Sequence, residues 1–349
     1  MQAERYMKRC LELAGKGAGH VAPNPMVGAV VVHKDKIIGE GYHRDYGGPH
    51  AEVNAITAVS DQNLLKDATL YVNLEPCSHH GKTPPCTRLI IEKGIRDVVI
   101  GATDPNILVN GEGIDHLRKA GCRVETGILR DECLQLNRFY YTFHTRGRPY
   151  IILKWAQTAD GFISPAPEDA GAGPVQWITG EVERMLVHKW RSEVQSIMAG
   201  TDTLLADNPR LTVRDWPGKN PLRIIPDRRS RLPQTLNVFS NDADTVLFTT
   251  KPGTDREHLK HVRLSSEQAP LTEIMGHLFD TGIQSLLVEG GAVLIESFIA
   301  SGLWDEARIF TGTISFTRGV RAPSLPCVPS ETLTISGSRL DICFNAGNN

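Results

Sequence analysis

Short β-branched runs alternate with amphipathic stretches along the first 145 residues. The apolar run Val27–Val32 is separated by a polar turn from Ile37 and Ile38, which predicts a two-stranded hairpin. Helical spacing of apolar residues appears near the N-terminus and over residues 50–59, 113–120 and 131–144, and strand patterns appear at 69–74, 98–100 and 123–125. This alternation predicts an α/β domain.

A second series of strands begins after residues 145–149, where glycine, proline and charged residues are typical of a connector. Strand patterns lie at 150–155, 196–198, 222–225, 245–248, 285–288 and 307–310, and helix patterns near 180–191 and 292–300. These elements predict a mixed sheet covered by helices. We therefore divide the chain into domains 1–145 and 146–349, each large enough to bury a core.

Composition and charge narrow the class of protein. Hydrophobic residues make up 40% and charged residues 22%, as in soluble globular proteins. The formal net charge is −2, and no basic cluster predicts a nucleic-acid-binding face. No apolar stretch approaches the roughly 20 residues that cross a bilayer, and the N-terminus lacks a signal-peptide core. We expect a cytoplasmic protein with seven reduced cysteines and no nucleic-acid or membrane partner. The sequence leaves a homo-oligomer open.

Three residues have the types and order of a catalytic zinc site. His50 precedes Cys77 and Cys86, and Pro76 stands before the first cysteine. Catalytic Zn²⁺ usually takes about three nitrogen or sulfur ligands and leaves a position for water, whose pKa falls toward about 7. Glu52 completes the His-x-Glu and Pro-Cys arrangement of zinc nucleobase deaminases, in which the glutamate moves protons without binding the metal.

Other interpretations of these residues remain open. Cys77 and Cys86 could form a disulfide or be two buried thiols, with His50 only a residue at a helix start. A structural metal would want a fourth protein ligand, which His79 or His80 could provide. The catalytic interpretation is favoured because Glu52 has no task at a structural site.

Eight residues separate Cys77 from Cys86, whereas the simplest deaminase pattern has two. The segment 76–86, Pro-Cys-Ser-His-His-Gly-Lys-Thr-Pro-Pro-Cys, resembles the bacterial bifunctional riboflavin-biosynthesis family, which joins a diaminohydroxyphosphoribosylaminopyrimidine deaminase to a 5-amino-6-(5-phosphoribosylamino)uracil reductase. Residues 23–28, 41–43 and 104–106 also match. The resemblance implies a cytidine-deaminase-like three-layer domain with substrate contacts at Asn24, His43, Lys82, Asp104 and Asn106. Lys82 would suit a phosphate as a point charge.

A second candidate site is the segment Val288-Glu289-Gly290-Gly291, which follows an apolar strand and begins a helix. Glycines let a phosphate approach the backbone, and a helix start presents free amides. A tight turn also needs glycine for conformational reasons alone. The full Gly-x-Gly-x-x-Gly fingerprint of a dinucleotide-binding fold is absent.

The second half resembles the reductase domain of the same family through residues 154–161, 176–180, 200–214 and 288–294. This resemblance implies a dihydrofolate-reductase-like domain that uses NADPH. It implies NADPH contacts at Ala156, Trp177, Thr203, Asp207, Gly290, Gly291, Ala292, Val293, Leu294 and Ile295, and substrate contacts at Lys154, Arg191, Arg214 and Glu289. Trp177 could instead belong to the core, and Thr203 or Asp207 could cap a turn. Val175 and Arg228 depart from the hydroxyl residues common in the family.

Together the two halves predict a bifunctional enzyme of riboflavin biosynthesis. A zinc-dependent hydrolysis with Glu52 as acid and base removes an amino group, and NADPH then reduces the ribosyl group to ribityl. Lys154 or Glu289 could assist opening of the sugar ring. A tRNA or free-nucleobase deaminase fused to an unrelated domain would predict a basic face and a short cysteine spacing, and the sequence shows neither.

Overall fold

The computed structural model describes residues 2–78, 84–106, 109–166, 168, 177–266 and 270–348. The chain divides into two units, Met1–Arg148 and Pro149–Asn349, and each is built on a sheet that carries helices. None of the helices in these described ranges combines the length and the hydropathy that a transmembrane span requires.

The sheet of the first unit has parallel and antiparallel parts. Its strands are β1 (Gly28–His33), β2 (Lys36–Tyr42), β3 (Thr69–Leu74), β4 (Asp97–Ala102) and β5 (Arg123–Thr126), in the spatial order β2-β1-β3-β4-β5. β1 and β2 form the predicted hairpin, β1 pairs antiparallel with β3, and β3, β4 and β5 run parallel. The carboxyl ends of β3 and β4 therefore lie side by side, and the segments that follow them carry Cys77 and Asp104.

Helices cover both faces of this sheet. They are α1 (Gln2–Gly15), α2 (Ala51–Thr57), α3 (Cys86–Glu92), α4 (Glu112–Lys119), α5 (Arg130–Leu136) and α6 (Arg138–Arg146). Strand residues such as Val31 and Val72 pack against α2, α3 and α4, whereas the alternate residues Val30 and Tyr71 pack with α1 and α5. The result is the predicted three-layer arrangement.

The helix predicted over residues 131–144 is two helices in the structure. Asn137 ends α5 and precedes α6 with φ −98° and ψ 24°. Its side chain binds both backbone polar groups of Met26: Nδ2 donates to the carbonyl oxygen at 2.9 Å, and Oδ1 accepts from the amide at 2.7 Å. The prediction of a single helix is therefore wrong. The side chain at the break binds the backbone of a residue that lies far away in sequence, which a local pattern does not reveal.

The second unit contains a larger mixed sheet. Its strands are β6 (Tyr150–Gln157), β7 (Phe162–Pro165), β8 (Ser196–Met198), β9 (Leu222–Pro226), β10 (Thr245–Thr249), β11 (Leu259–Arg263), β12 (Ser285–Glu289), β13 (Glu306–Thr311), β14 (Gly319–Arg321), β15 (Glu331–Ile335) and β16 (Ser338–Phe344). The main sheet has the order β11-β10-β9-β8-β12-β6-β13-β16-β15, and β7 pairs with β14 separately. In this spatial order, the seven strands that begin with β11 and end with β13 are all parallel, while β16 pairs antiparallel with β13 and β15.

Four helices of the described second unit pack on this sheet: α7 (Glu181–Glu193), α8 (Thr201–Asp207), α9 (Pro270–Asp280) and α10 (Ala292–Ala300). One core joins α9 and α10 to β6 and β12, and another joins α8 to β8 and β9. The sequence pattern predicted α7, α10 and the central strands. It missed α8, α9 and the strands β7, β11, β14 and β15.

Cys327 and Cys343 form a disulfide, with Cα atoms 6.4 Å apart. The expectation of seven reduced cysteines is therefore wrong for this pair. Cys343 is buried in β16, next to β13, and the fold brings the segment around Cys327 to it. Spacing along the sequence does not identify such a pair. The other cysteines are free thiols: Cys10, Cys77, Cys86, Cys122 and Cys133.

Candidate active sites

The three candidate metal ligands come together in the first unit. His50 is the N-cap residue of α2, Cys77 follows β3, and Cys86 is the first residue of α3. The Nδ1 atom of His50 lies 3.2 Å from Sγ of Cys86 and 3.5 Å from Sγ of Cys77, and the donor atoms all lie within 4.8 Å of one another. Tetrahedral zinc with ordinary bond lengths separates a nitrogen from a sulfur ligand by about 3.5 Å. The residues therefore fit Zn²⁺.

The disulfide alternative fails for this pair, because Cys77 and Cys86 are free thiols. Hydrogen bonds from Cys86 and from His50 outweigh burial and hold the pKa of the Cys77 thiol well below its usual value. The backbone N–H of Cys86, at the start of α3, also donates to Sγ of Cys77 at 3.3 Å. The site thus stabilises a thiolate, the form in which cysteine binds metals.

Glu52 lies beside these donors in the first turn of α2 and is only 3% exposed. Burial, followed by the charge of Cys77, raises the pKa of its carboxyl to about 7. A carboxyl with this pKa can both accept and release a proton near neutral pH. Its position and its pKa suit a general acid and base.

His43 connects the metal ligands to the loop that carries Asn24. Its ring lies 5.5 Å from that of His50. Nδ1 faces the carbonyl oxygen of Pro49 at 3.0 Å, and Nε2 faces Nδ2 of Asn24 at 3.0 Å. Because Pro49 can only accept, Nδ1 carries the proton and Nε2 accepts from Asn24. His43 is 3% exposed and is therefore a buried residue, and its Nε2 orients the side chain of Asn24.

Asp104 and Asn106 follow β4, the strand that lies beside β3 and runs parallel to it, and Cys77 follows β3. The backbone N–H of Asn106 donates to Oδ1 of Asp104 at 2.8 Å, and the hydroxyl of Tyr140 donates to the same oxygen at 3.0 Å. Asp104 is 7% exposed, so its carboxylate is buried and is held in place by these hydrogen bonds. Lys82 and the alternative ligands His79 and His80 lie outside the described residues.

Glu75 is a site residue that the sequence analysis missed. It is 4% exposed, and its carboxylate accepts four backbone N–H groups, from Asp104, Gly111, Gly113 and Ile114, at 2.9–3.2 Å. It thereby ties the segment that delivers Cys77 to the loop of Asp104 and to the start of α4. The available signal was an acidic residue placed directly between an apolar strand and the Pro-Cys pair.

In the second unit, Lys154 of β6, Arg191 of α7 and Glu289 of β12 form a buried charge cluster. Arg191 grips both carboxylate oxygens of Glu289 at 2.7 and 2.8 Å, and Nζ of Lys154 lies 3.8 Å from one of them. Burial opposes ionisation of Glu289, but the charges of Arg191 and Lys154 outweigh it and lower its pKa to about 2. Burial lowers the pKa of Lys154.

Arg214 joins this cluster through the backbone of its own segment. Nη1 of Arg191 donates to the carbonyl oxygen of Thr212, and Nη1 of Arg214 donates to the Thr212 hydroxyl, each at 3.0 Å. The backbone N–H of Arg214 donates to Nδ1 of His188 at 3.0 Å. The four predicted substrate residues are thus brought together. His188 is a further neighbour that no local sequence signal marked.

The turn Gly290–Gly291 leads from β12 into α10, as predicted. Both glycines have positive φ, 81° and 74°, which favours glycine. A Cβ atom at Gly291 would lie 2.8 Å from the hydroxyl of Thr203, so the turn and α8 approach each other closely. Absent side chains and the free amides of a helix start suit the phosphates of NADPH.

The other predicted NADPH residues lie in different environments. Trp177 is 61% exposed under the guanidinium of Arg184, which excludes a place in the core. Asp207 is the exposed last residue of α8, and Val293 is 72% exposed. Ala156 lies near the end of β6 and is partly buried, as are Ala292 and Leu294 of α10, whereas Ile295 is fully buried in the core. Gln176 and Val175 lie outside the described residues.

Comparison with known proteins gives matches over both units. Residues 1–102 match the cytidine and deoxycytidylate deaminase zinc-binding region, and residues 149–320 match the RibD C-terminal domain. The riboflavin biosynthesis protein RibD of Bacillus amyloliquefaciens is 41% identical over 92% of this chain and 87% of its own length. RibD of Escherichia coli K12 is 36% identical over 89% of this chain and 87% of its own length.

Solved structures match along the whole chain. The diaminohydroxyphosphoribosylaminopyrimidine deaminase/5-amino-6-(5-phosphoribosylamino)uracil reductase of Thermotoga maritima has a TM-score of 0.86 at 38% identity and covers 99% of both chains. Acinetobacter baumannii RibD has a TM-score of 0.86 at 30% identity and covers 98% of both chains. Both units therefore have counterparts in one protein, in the same order.

Proposed function

The chain belongs to the RibD family of bifunctional riboflavin-biosynthesis enzymes, with a zinc-dependent deaminase half and an NADPH-dependent reductase half, and on that basis we propose which residues carry the two reactions. In the deaminase half we assign Zn²⁺ to His50, Cys77 and Cys86, and proton transfer to Glu52. One observation carries this assignment: three donor atoms converge within 4.8 Å beside a buried carboxyl.

Zn²⁺, when bound, supplies a Lewis acid that makes water a nucleophile near neutral pH. The carboxylate of Glu52 takes a proton from the water that attacks the amino-bearing ring carbon. As a carboxylic acid it then gives that proton to the ring nitrogen. It next takes the proton of the hydroxyl newly formed on the ring carbon and gives it to the amino group, which leaves as ammonia. We assign Asn24, oriented by His43, and the Asp104–Asn106 turn to the substrate, and Lys82 to its phosphate.

NADPH, when bound, supplies the hydride that converts the ribosyl group to ribityl. We assign its phosphates to the amides at the start of α10 and to Thr203, and its remaining contacts to Ala156, Trp177 and Asp207. Contacts with Glu289 and Thr212 use three of the five N–H groups of Arg191. We therefore assign binding of the substrate phosphate mainly to the guanidinium of Arg214.

Lys154 is the better candidate of the two residues proposed for opening the sugar ring. Arg191 keeps Glu289 ionised, which leaves Glu289 without a proton to donate. Burial lowers the pKa of Lys154, which makes its ammonium a better proton donor. A Lys154→Met enzyme that reduces deaminated substrate at the wild-type rate would contradict this role.

The test follows ammonia release and NADPH oxidation separately on the pyrimidine substrate. Glu52→Gln should abolish ammonia release, because it cannot accept a proton, yet it should still reduce substrate supplied already deaminated. Glu125→Gln in β5, which removes an exposed carboxylate from the same unit, should keep both activities. Ammonia release that survives in Glu52→Gln would refute the proton-transfer role.

A structural rather than catalytic metal makes a different prediction. Removing a structural ion unfolds the first unit, whereas removing a catalytic ion stops ammonia release while the fold persists. Chelation followed by circular dichroism and an ammonia assay separates the two. Among the described residues, the metal cluster contains His50, Cys77 and Cys86 alone, a three-ligand set of the catalytic kind.

We also propose that the enzyme acts in the cytoplasm on a small-molecule substrate, without nucleic acid. The support is the need for NADPH and the formal net charge of −2 without a basic cluster. A homo-oligomer is compatible with this proposal. Sedimentation of the purified protein, with and without RNA, measures both the oligomeric state and the absence of RNA binding.

A further inference from the structure

Two side chains of one short segment reach both substrate loops of the deaminase site. Asn137, between α5 and α6, binds the amide and the carbonyl of Met26, two residues after Asn24. Tyr140, one helical turn later, donates its hydroxyl to the carboxylate of Asp104, at 3.0 and 3.3 Å from its two oxygens. Asn137 is 2% exposed and Tyr140 8%.

Both loops are also tied to the metal ligands. On one side, Asn24 is hydrogen-bonded to His43, whose ring contacts that of His50. On the other side, the amide of Asp104 is bound by Glu75, two residues before Cys77. The two loops therefore border the metal centre, and the Asn137–Tyr140 segment joins them to each other.

Packing alone does not account for these two residues. An apolar side chain would fill either position without the cost of burying a polar group. The side-chain hydrogen bonds of Asn137 both go to Met26, and the hydroxyl of Tyr140 donates to Asp104. Asn73 also fixes the loop that carries Asn24. Its Nδ2 donates to the carbonyl oxygen of Met26 at 3.1 Å, and its Oδ1 accepts from the backbone N–H of Gly28 at 2.8 Å.

We infer that Asn137 and Tyr140 are positioning residues that fix the separation of the Asn24 and Asp104 loops, and so set the affinity of the deaminase for its pyrimidine substrate. The inference rests on the proposed function, which assigns these loops to the substrate. Neither residue is proposed to touch the reacting atoms. Their effect should therefore appear in KM more than in kcat.

Tyr140→Phe removes only the hydroxyl and is the main test. Hydrogen bonds to charged groups typically contribute enough to change an equilibrium by roughly tenfold or more, so we expect KM for ammonia release to rise roughly tenfold with a much smaller change in kcat. Bound zinc and the reduction of deaminated substrate should stay at wild-type levels. Thr145→Val is the matched control, because it removes a hydroxyl of α6 that donates within its own helix, to the carbonyl oxygen of Tyr141 at 2.7 Å.

Asn137 offers a second test with a graded pair of variants. Asn137→Ala loses both bonds to Met26, whereas Asn137→Asp keeps the acceptor for the Met26 amide, so KM should be closer to the wild-type value in Asn137→Asp. An unchanged KM in Tyr140→Phe, or a loss of zinc and kcat without a change in KM, would overturn the inference. Failure of the proposed function looks different: the wild-type enzyme would release no ammonia, or Glu52→Gln would still release it.

Discussion

Replacing Glu289 with glutamine should destabilise the second unit by about 3 kcal/mol at neutral pH. Glu289 is 8% exposed, and its carboxylate is gripped by Arg191 with Lys154 nearby. The variant has nearly the same shape but no charge. It leaves the buried guanidinium of Arg191 and the partly buried ammonium of Lys154 without their counter-charge.

The magnitude follows from the pKa of Glu289, which falls from 4.5 to about 2 on folding. At about 1.4 kcal/mol for each pKa unit, this corresponds to about 3–4 kcal/mol of stability. Breaking a buried ion pair by removing one partner costs about 3–5 kcal/mol in general, which agrees. Because the folded pKa lies below the unfolded one, the stabilisation is complete above about pH 4.5 and is lost as the pH falls toward about 2.

Urea unfolding followed by tryptophan fluorescence measures this effect. All five tryptophans lie in the second unit, so their emission reports that unit alone. Glu296→Gln, which removes an exposed carboxylate from α10, is the matched control and should unfold like the wild type. A decrease in the free energy of unfolding of less than about 1 kcal/mol at pH 7 would refute the reasoning. The difference between variant and wild type should also fall to about half or less by about pH 3, and a difference that stays constant would refute it as well.

Three further substitutions test other contacts. Gly291→Ala should raise KM for NADPH at least roughly tenfold without affecting ammonia release, because a Cβ would meet the Thr203 hydroxyl at 2.8 Å and positive φ disfavours alanine; equal KM values would contradict this. Gly113→Ala should lower the zinc content measured by elemental analysis, since its Cβ would overlap the carbonyl of Pro76 beside Cys77; full occupancy would count against it. Arg223→Met should destabilise the second unit by about 3 kcal/mol in the fluorescence assay, because four backbone carbonyls lose their buried donor, and a loss within about 0.5 kcal/mol would argue against that.

The central strands and the main helices could be predicted because their apolar pattern is local. β3 and β8 have the bounds that the pattern predicted, and both are buried almost throughout. The strand β15 was missed because its residues Glu331–Ile335 are mostly exposed, so no buried face imposes alternation. The break at Asn137 was missed because the residue that its side chain binds there, Met26, lies 111 residues away in sequence.

The same distinction separates the site residues. Zinc ligands are restricted to few residue types, so the joint pattern of His50 and Glu52 upstream of Pro76-Cys77 and Cys86 predicted a cluster that the structure assembles. The family, the two activities and both cofactors are confirmed by the matches over the two units. Glu75 had a local signal in its place between the apolar strand and Cys77, but its four backbone partners are brought to it only by the folded chain. His188 could not be predicted, since its contact with the backbone N–H of Arg214 exists only in the folded chain. The individual substrate and NADPH contacts stay predictions.

The position of β6 between β12 and β13 affects how the second unit folds while the chain is being synthesised. β6 is synthesised at the start of the second unit, yet both of its neighbours, β12 and β13, come near the end. While the ribosome adds the residues between them, the apolar segment Ile151–Leu153 has no strand to pair with on either edge. Unpaired edges of this kind invite pairing between copies. Nascent chains that have not reached β12 therefore carry a central strand whose two native neighbours do not yet exist.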